Sequence, residues 1–156
     1  MSFLLGIVSV ILILDQATKL LVERLLPLYS VKPIIPGFFN LVHVRNTGAA
    51  FSMFAGSPSI WRQAVFVGLG LLVVGGLGYA GTKLRKDETL TRWAYALICA
   101  GALGNLVDRL RLGEVIDFLD LYIGAYHWPA FNVADSAITI GACLLAVTLF
   151  QKREEG

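Results

Sequence analysis

Charge is scarce in this chain. Charged residues make up 15% of its 156 residues, where a soluble domain carries roughly 25%. Hydrophobic residues make up 56%, and mean hydropathy is +0.71. A soluble fold of this length has too little interior to hide so much apolar surface, so lipid is the expected solvent. Histidine is nearly absent: His43 and His127 stand alone, no HExxH occurs, and a zinc peptidase is unsupported. The two cysteines, Cys99 and Cys143, lie inside apolar runs without a CxxC. They read as small apolar helix residues, with no metal or disulfide role. No serine sits in a GxSxG turn, nothing recommends a Ser136–His127 pair, and no glycine-rich loop fits a nucleotide. The net charge of +2 is too mild for nucleic acid. Internal repeats and low-complexity tracts are also lacking.

What is there is a set of long apolar runs. They predict about four transmembrane helices, near residues 3–25, 60–82, 91–110 and 133–150, in a single membrane domain covering 1–156. The first run has no positive charge ahead of it and no small-residue cleavage site behind it, so it reads as a retained span rather than a signal peptide. The second is rich in glycine (Gly68, Gly70, Gly75, Gly76, Gly78), which is expected to serve close helix packing. Lys83, Arg85, Lys86 and Arg92 flank the short connection between spans two and three, and Lys152 and Arg153 follow span four. By the positive-inside rule these ends, and with an even number of spans both termini, are expected in the cytoplasm.

Two outer segments remain, about 27–59 and 111–132. Pro27, Pro33 and Pro36-Gly37 break helix in the first. Phe38 to Arg45 then reads as a short strand, with Ala49 to Phe54 as its expected hairpin partner. Aromatics crowd both segments. They suit an interfacial belt, or a surface that grips a lipid or an apolar peptide.

Polar groups are expensive in a bilayer, so each one near a span needs a reason. Asp15, Lys19, Asn46, Asn105, Asp108, Arg109, Asp117, Asn132 and Asp135 all fall toward the outer side. Each has a bland alternative. Asp15 and Lys19, spaced i, i+4, could neutralise each other. Asp108 and Arg109 could be a helix-end pair. Asn132 fits an N-cap with Asp135 three residues on. Asp117, in a predicted loop, defaults to a solvated carboxylate. The chemistry left standing is a pair of carboxylates sharing one proton, as in aspartic peptidases. A small transporter using Asp15 and a non-catalytic lipid or peptide scaffold are the competing classes. Transporters bind near the midplane, and the outer clustering argues against one.

Five blocks carry a resemblance: Asp15-Gln-Ala-Thr-Lys19, Asn46-Thr-Gly-Ala-Ala-Phe51-Ser52, Gly101-Ala-Leu-Gly104-Asn105-Leu-Val-Asp108-Arg109, Val115-Ile-Asp117-Phe118 and Phe131-Asn132-Val-Ala-Asp135-Ser136. In this order, over nearly the whole chain, they resemble the lipoprotein signal peptidases (type II signal peptidases) of the bacterial inner membrane. The resemblance implies an all-α membrane fold: a four-transmembrane-helix bundle with a small extracytoplasmic β-cradle and an outer loop. It implies an aspartic endopeptidase that removes the signal peptide from diacylglyceryl-modified prolipoproteins, cutting just before the lipidated cysteine. No metal or organic cofactor is implied. The family's catalytic aspartates fall on Asp117 and Asp135. Its supporting residues fall on Asp15, Lys19, Asn46, Asn105, Asp108, Arg109 and Asn132. Implied partners are the prolipoprotein substrate, membrane lipid and globomycin-type inhibitors. One bundle can hold every named residue, so a monomer suffices. The expected location is the inner membrane, with the site near the periplasmic face.

Overall fold

The computed structural model describes residues 2–48 and 59–154. Four long helices carry the apolar runs: α1 (Ser2–Leu25), α2 (Ile60–Lys83), α3 (Thr89–Leu112) and α4 (Val133–Glu154). Each has 22 to 24 residues. At about 1.5 Å per residue that length crosses a hydrocarbon core of about 30 Å. All four are apolar enough to span a membrane. Large apolar side chains such as Leu21, Leu72, Trp61 and Phe150 point outward, as they do when lipid rather than water surrounds the bundle.

Between α1 and α2 the chain forms β1 (Val31–Ile35) and β2 (Phe39–Asn46), and between α3 and α4 it forms β3 (Val115–Ile123) and β4 (Tyr126–His127). These make one antiparallel sheet in the order β1-β2-β3-β4. The alternation of long helices therefore puts both strand-bearing connections at one end of the bundle. The short α2–α3 connection and both termini lie at the other.

The sheet bears on two of the sequence expectations. Among the described residues, the partners of β2 are β1 on one side and β3 on the other. The expected hairpin partner, Ala49 to Phe54, lies outside the described residues. And the segment after α3, read from sequence as an outer loop, is largely strand. Ile116 and Phe118 on one face of β3 pack with Val22 of α1, so by strand alternation Asp117 points the other way, toward the tips of α3 and α4.

Helix α3 is the centre of the bundle and packs against the other three. Its buried positions include Ala94, Ala96, Ala100, Gly101 and Gly104, which let neighbours approach closely. A Cβ at Gly101 would strike the Ala134 carbonyl oxygen of α4, and one at Gly141 would come within 2.8 Å of the Ala94 carbonyl oxygen. Of the α2 glycines expected to serve packing, Gly70 does, since a Cβ there would touch Leu106 of α3 at 3.6 Å, whereas a Cβ at Gly68, Gly75, Gly76 or Gly78 meets nothing within 4 Å among the described residues. The closest packing here belongs to α3 and α4. Helix α3 also runs past its polar residues Asn105, Asp108 and Arg109 to Leu112, and ends where Gly113 turns left-handed at φ 79°, its N–H donating to the Arg109 carbonyl.

Candidate active site

Where the bundle meets the sheet, three ionised side chains are sealed in the interior. Asp15, Lys19 and Asp108 are each 0% exposed. The Lys19 ammonium lies 2.9 Å from Asp15 Oδ2 and 2.9 Å from Asp108 Oδ2, and donates to Asn105 Oδ1 at 3.0 Å. An ammonium has three N–H donors, and all three are used. Buried charges persist only when paired and hydrogen-bonded, and both carboxylates accept further hydrogen bonds. Asp15 Oδ1 accepts the Ala134 N–H at 2.9 Å, and Asp108 Oδ2 accepts the Ile116 N–H at 3.2 Å. Gln16 Nε2 bridges both carboxylates and the Gly104 carbonyl at 3.1 Å each. The cluster thus ties α1 to α3, to the start of β3 and to the first turn of α4. Asp15 and Lys19 do neutralise each other, while Asp108 pairs with Lys19 across the bundle.

Two asparagines carry this order to two further carboxylates. Asn132 caps α4: its Oδ1 accepts the Asp135 N–H at 2.8 Å, the N-cap geometry the sequence suggested. Its Nδ2 is then left to donate, and it reaches Asp117 Oδ1 at 2.7 Å, with longer contacts to the Ile116 carbonyl at 3.2 Å and Asn105 Oδ1 at 3.3 Å. Asn46, at the end of β2, donates to Asp117 Oδ2 at 3.1 Å, and its own Oδ1 accepts the Gly48 N–H at 2.8 Å. Asn105 Nδ2 donates to Asp135 Oδ1 at 2.8 Å. Asp117 on β3 and Asp135 on α4 are therefore held from two different elements by one network of side-chain amides.

Asp117 is not the solvated loop carboxylate that its sequence context suggested. It is 1% exposed, and burial, followed by the nearby charge of Asp135, pushes its pKa from 3.8 up to about 7. The amides of Asn46 and Asn132 and the charge of Lys19 act in the opposite direction but do not cancel this. Asp135 is only partly buried. It lines a cavity of about 230 Å³ otherwise walled by Trp128, Phe131, Ser136, Thr139 and Ile140. One carboxylate is thus enclosed, and the other opens onto a largely apolar cavity.

Arg109 closes the site from the α2 side. Its guanidinium donates to the Gly48 carbonyl and lies over the Phe66 ring, 4.9 Å from the centroid. It is near enough to Asp135, Asp117 and Asp108 for their charges to act on it. All nine residues singled out from sequence are thus gathered at the sheet end of the bundle. Sequence reasoning did not single out Gln16, Gln63 or Phe66. Gln63 Nε2 donates to the Arg109 carbonyl at 2.9 Å. Gln16 sits inside the Asp15–Lys19 block, and an uncharged amide within a span was a signal available for it. The same signal was available for Gln63, an amide inside the second expected span, whereas for Phe66, in an apolar helix, no local signal existed.

The chain resembles known proteins over nearly its whole length. A family model described as signal peptidase (SPase) II matches residues 7–151. The chain is 48% identical over 147 residues to the lipoprotein signal peptidase of Syntrophus aciditrophicus, covering 94% of this chain and 91% of that one. It is 51% identical over 141 residues to the lipoprotein signal peptidase of Geobacter sulfurreducens, covering 90% and 87%. Among solved structures, a bacterial membrane enzyme superposes with a TM-score of 0.89 at 32% identity, over 99% of this chain and 92% of that one. A second, also a bacterial membrane enzyme, gives 0.82 at 33% identity over 96% and 93%. With likeness over nearly its full length in both sequence and fold, this multi-pass membrane protein belongs to the signal peptidase II family of peptidases.

Proposed function

We propose that this protein removes the signal peptide from diacylglyceryl-modified prolipoproteins, cutting just before the lipidated cysteine, with Asp117 and Asp135 as the catalytic pair. The observation that carries the reading is the arrangement of these two carboxylates. They come from separate elements, interact electrostatically, and are each held by an asparagine amide. Like charges at close range cannot both ionise cheaply, so the pair shares a proton near neutral pH. The ionised partner takes a proton from water, whose oxygen adds to the scissile carbonyl carbon. The protonated partner donates to the carbonyl oxygen as charge builds there. Collapse of the tetrahedral intermediate breaks the C–N bond, and the amine of the lipidated cysteine leaves with a proton from the pair. The apolar cavity beside Asp135 suits a substrate that approaches from the bilayer, and each CH₂ of its acyl chains buried in lipid contributes roughly 0.8 kcal/mol to anchoring.

In this reading the sheet is an extracytoplasmic cradle and the chain is one domain working as a monomer. It sits in the bacterial inner membrane with both termini cytoplasmic and the site near the periplasmic face. The basic residues around the α2–α3 connection support that orientation. Globomycin-type peptides would block the enzyme by lodging between the aspartates. A midplane transporter fits less well, because the polar cluster lies at the sheet end.

The test is cleavage of a purified diacylglyceryl prolipoprotein in detergent, read as a gel mobility shift, with Asp117→Asn and Asp135→Asn compared against wild type. Each variant is expected to stay folded and to lose on the order of a thousandfold or more in rate. A variant that keeps near wild-type rate removes that aspartate from the mechanism.

A further inference from the structure

Lys19 is buried, fully ion-paired and takes no part in the chemistry outlined above. Its geometry gives it a role beyond neutralising Asp15. An asparagine amide can face a neighbour with either its oxygen or its nitrogen, and the two choices have opposite electrostatic effects on a carboxylate. At Asn105 the choice is forced from behind. Lys19 can only donate, and it is 3.0 Å from Asn105 Oδ1. A flipped amide would turn its N–H₂ toward the ammonium and its oxygen toward the Asp135 carboxylate. Both contacts would then be repulsive.

We propose that Lys19 is a positioning residue for the peptidase reaction: clamped by Asp15 and Asp108, its ammonium locks the Asn105 amide with N–H₂ toward Asp135 and so holds that carboxylate in its working position. This rests on the peptidase reading given above. The neighbouring asparagine follows the same logic, since the Asp135 backbone N–H, also a pure donor, fixes Asn132 with its N–H₂ toward Asp117. Each aspartate thus receives an amide whose direction is set by a group that cannot accept. With its three N–H donors used, Lys19 has none left for substrate, and Asn105 is the side chain through which it reaches Asp135.

The experiment uses two variants of the full-length protein in detergent with a diacylglyceryl prolipoprotein substrate. Asn105→Asp keeps an oxygen for Lys19 but replaces the N–H₂ facing Asp135 with a second acceptor. Because this change also sets a new carboxyl beside Asp135, the roles are separated by the double change below: a purely structural role for Lys19 adds its full loss in the Asn105→Asp background. The positioning role lowers kcat about ten- to a hundredfold, the size of one lost charge-assisted hydrogen bond, with KM changed less than about threefold. Lys19→Met combined with Asp108→Asn preserves the net charge of the cluster and leaves only the longer contact from Asn132 Nδ2, at 3.3 Å, to hold the Asn105 oxygen. It is expected to lower kcat similarly, and to add little further loss in the Asn105→Asp background. Wild-type kcat in Asn105→Asp, or full additivity of the two changes, overturns the proposal. If the variant combining Lys19→Met with Asp108→Asn lacks a cooperative thermal transition, Lys19→Met combined with Asp15→Asn, which also preserves the net charge, takes its place, and full additivity there overturns the proposal. Failure of the wild type to cleave a lipidated substrate would instead overturn the peptidase reading, so the two failures are distinguishable.

Discussion

Replacing Asp117 with asparagine should change stability with a sign that depends on pH. Folded Asp117 holds its proton far more tightly than an unfolded carboxylate does, about 7 against 3.8. Its contribution to folding is therefore fully favourable below about pH 4 and is lost as pH rises through about 7. A gap of about three pH units at about 1.36 kcal/mol each makes the ionised side chain about 4 kcal/mol unfavourable above neutrality. Asparagine removes that penalty. Against it stands a mismatch: Asp117 accepts amide N–H from both Asn46 and Asn132, and the new amide has a single oxygen for the two. Turning its nitrogen toward the longer of these contacts, Asn46 at 3.1 Å, costs about 1–3 kcal/mol. The variant should be about 1–3 kcal/mol less stable than wild type at about pH 2.5, where Asp117 is protonated in both states, and about 1–3 kcal/mol more stable at about pH 8.5. Thermal unfolding of the two proteins in the same detergent, followed by intrinsic fluorescence across that range, measures the difference. A stability difference that does not vary with pH would refute the buried, proton-holding Asp117 described above.

Two further outcomes follow from the same geometry. The kcat/KM for prolipoprotein cleavage should fall as pH rises through about 7, because the pair then loses the proton it shares; a pH–rate series that stays flat or keeps climbing well above that value would sink the shared-proton mechanism. Gly104→Ala should destabilise the protein by about 1–3 kcal/mol and impair cleavage, because its Cβ would meet Asp15 Oδ2 at 2.5 Å and Ala134 Cβ at 3.2 Å. Gly75→Ala, with nothing within 4 Å of the new Cβ, should be neutral or slightly stabilising, and equal losses in melting temperature for the two would contradict this packing.

The spans were legible because apolar length is a local property that lipid demands of each helix separately. The cap at Asn132 was legible for a similar reason, since its partner, the Asp135 N–H, lies three residues away. Strand β3 was not. Its sequence, Val115-Ile-Asp-Phe-Leu-Asp-Leu-Tyr-Ile123, does not alternate, because both faces of its first half are buried and carboxylates occur on each. Asp117 faces the helix tips, while Asp120 takes the Asn40 amide at 2.8 Å and His127 Nδ1 at 2.8 Å on the other face. A strand buried on both sides loses the period that identifies it. The role of the polar end of α3, which the expected span of 91–110 already included, was not legible for a related reason. Asn105 and Asp108 look like the end of a span until their partners on α1, β3 and α4 are known, and those partners lie far away in sequence. Four of the five α2 glycines misled in the other direction: composition suggested close packing, but only three-dimensional contact shows that Gly70 has a neighbour on α3 and the others do not.

The connection between fold and chemistry lies in how a mostly apolar bundle can hold so many charges without collapsing or hydrating around them. Each charged or amide group in the cluster is anchored by at least one group that can play a single role: an ammonium or a backbone N–H that only donates, or a carbonyl or carboxylate that only accepts. Asp15 receives the Ala134 N–H, Asp108 the Ile116 N–H, and Asn132 the Asp135 N–H. These backbone donors belong to the first turn of α4 and the start of β3, the two elements that carry Asp135 and Asp117. The interactions that make the buried charges tolerable are therefore the same ones that fix where the two aspartates begin. Stability and site geometry are coupled at this end of the bundle, so substitutions that loosen the ion cluster should misplace the carboxylate pair well before they unfold the helices.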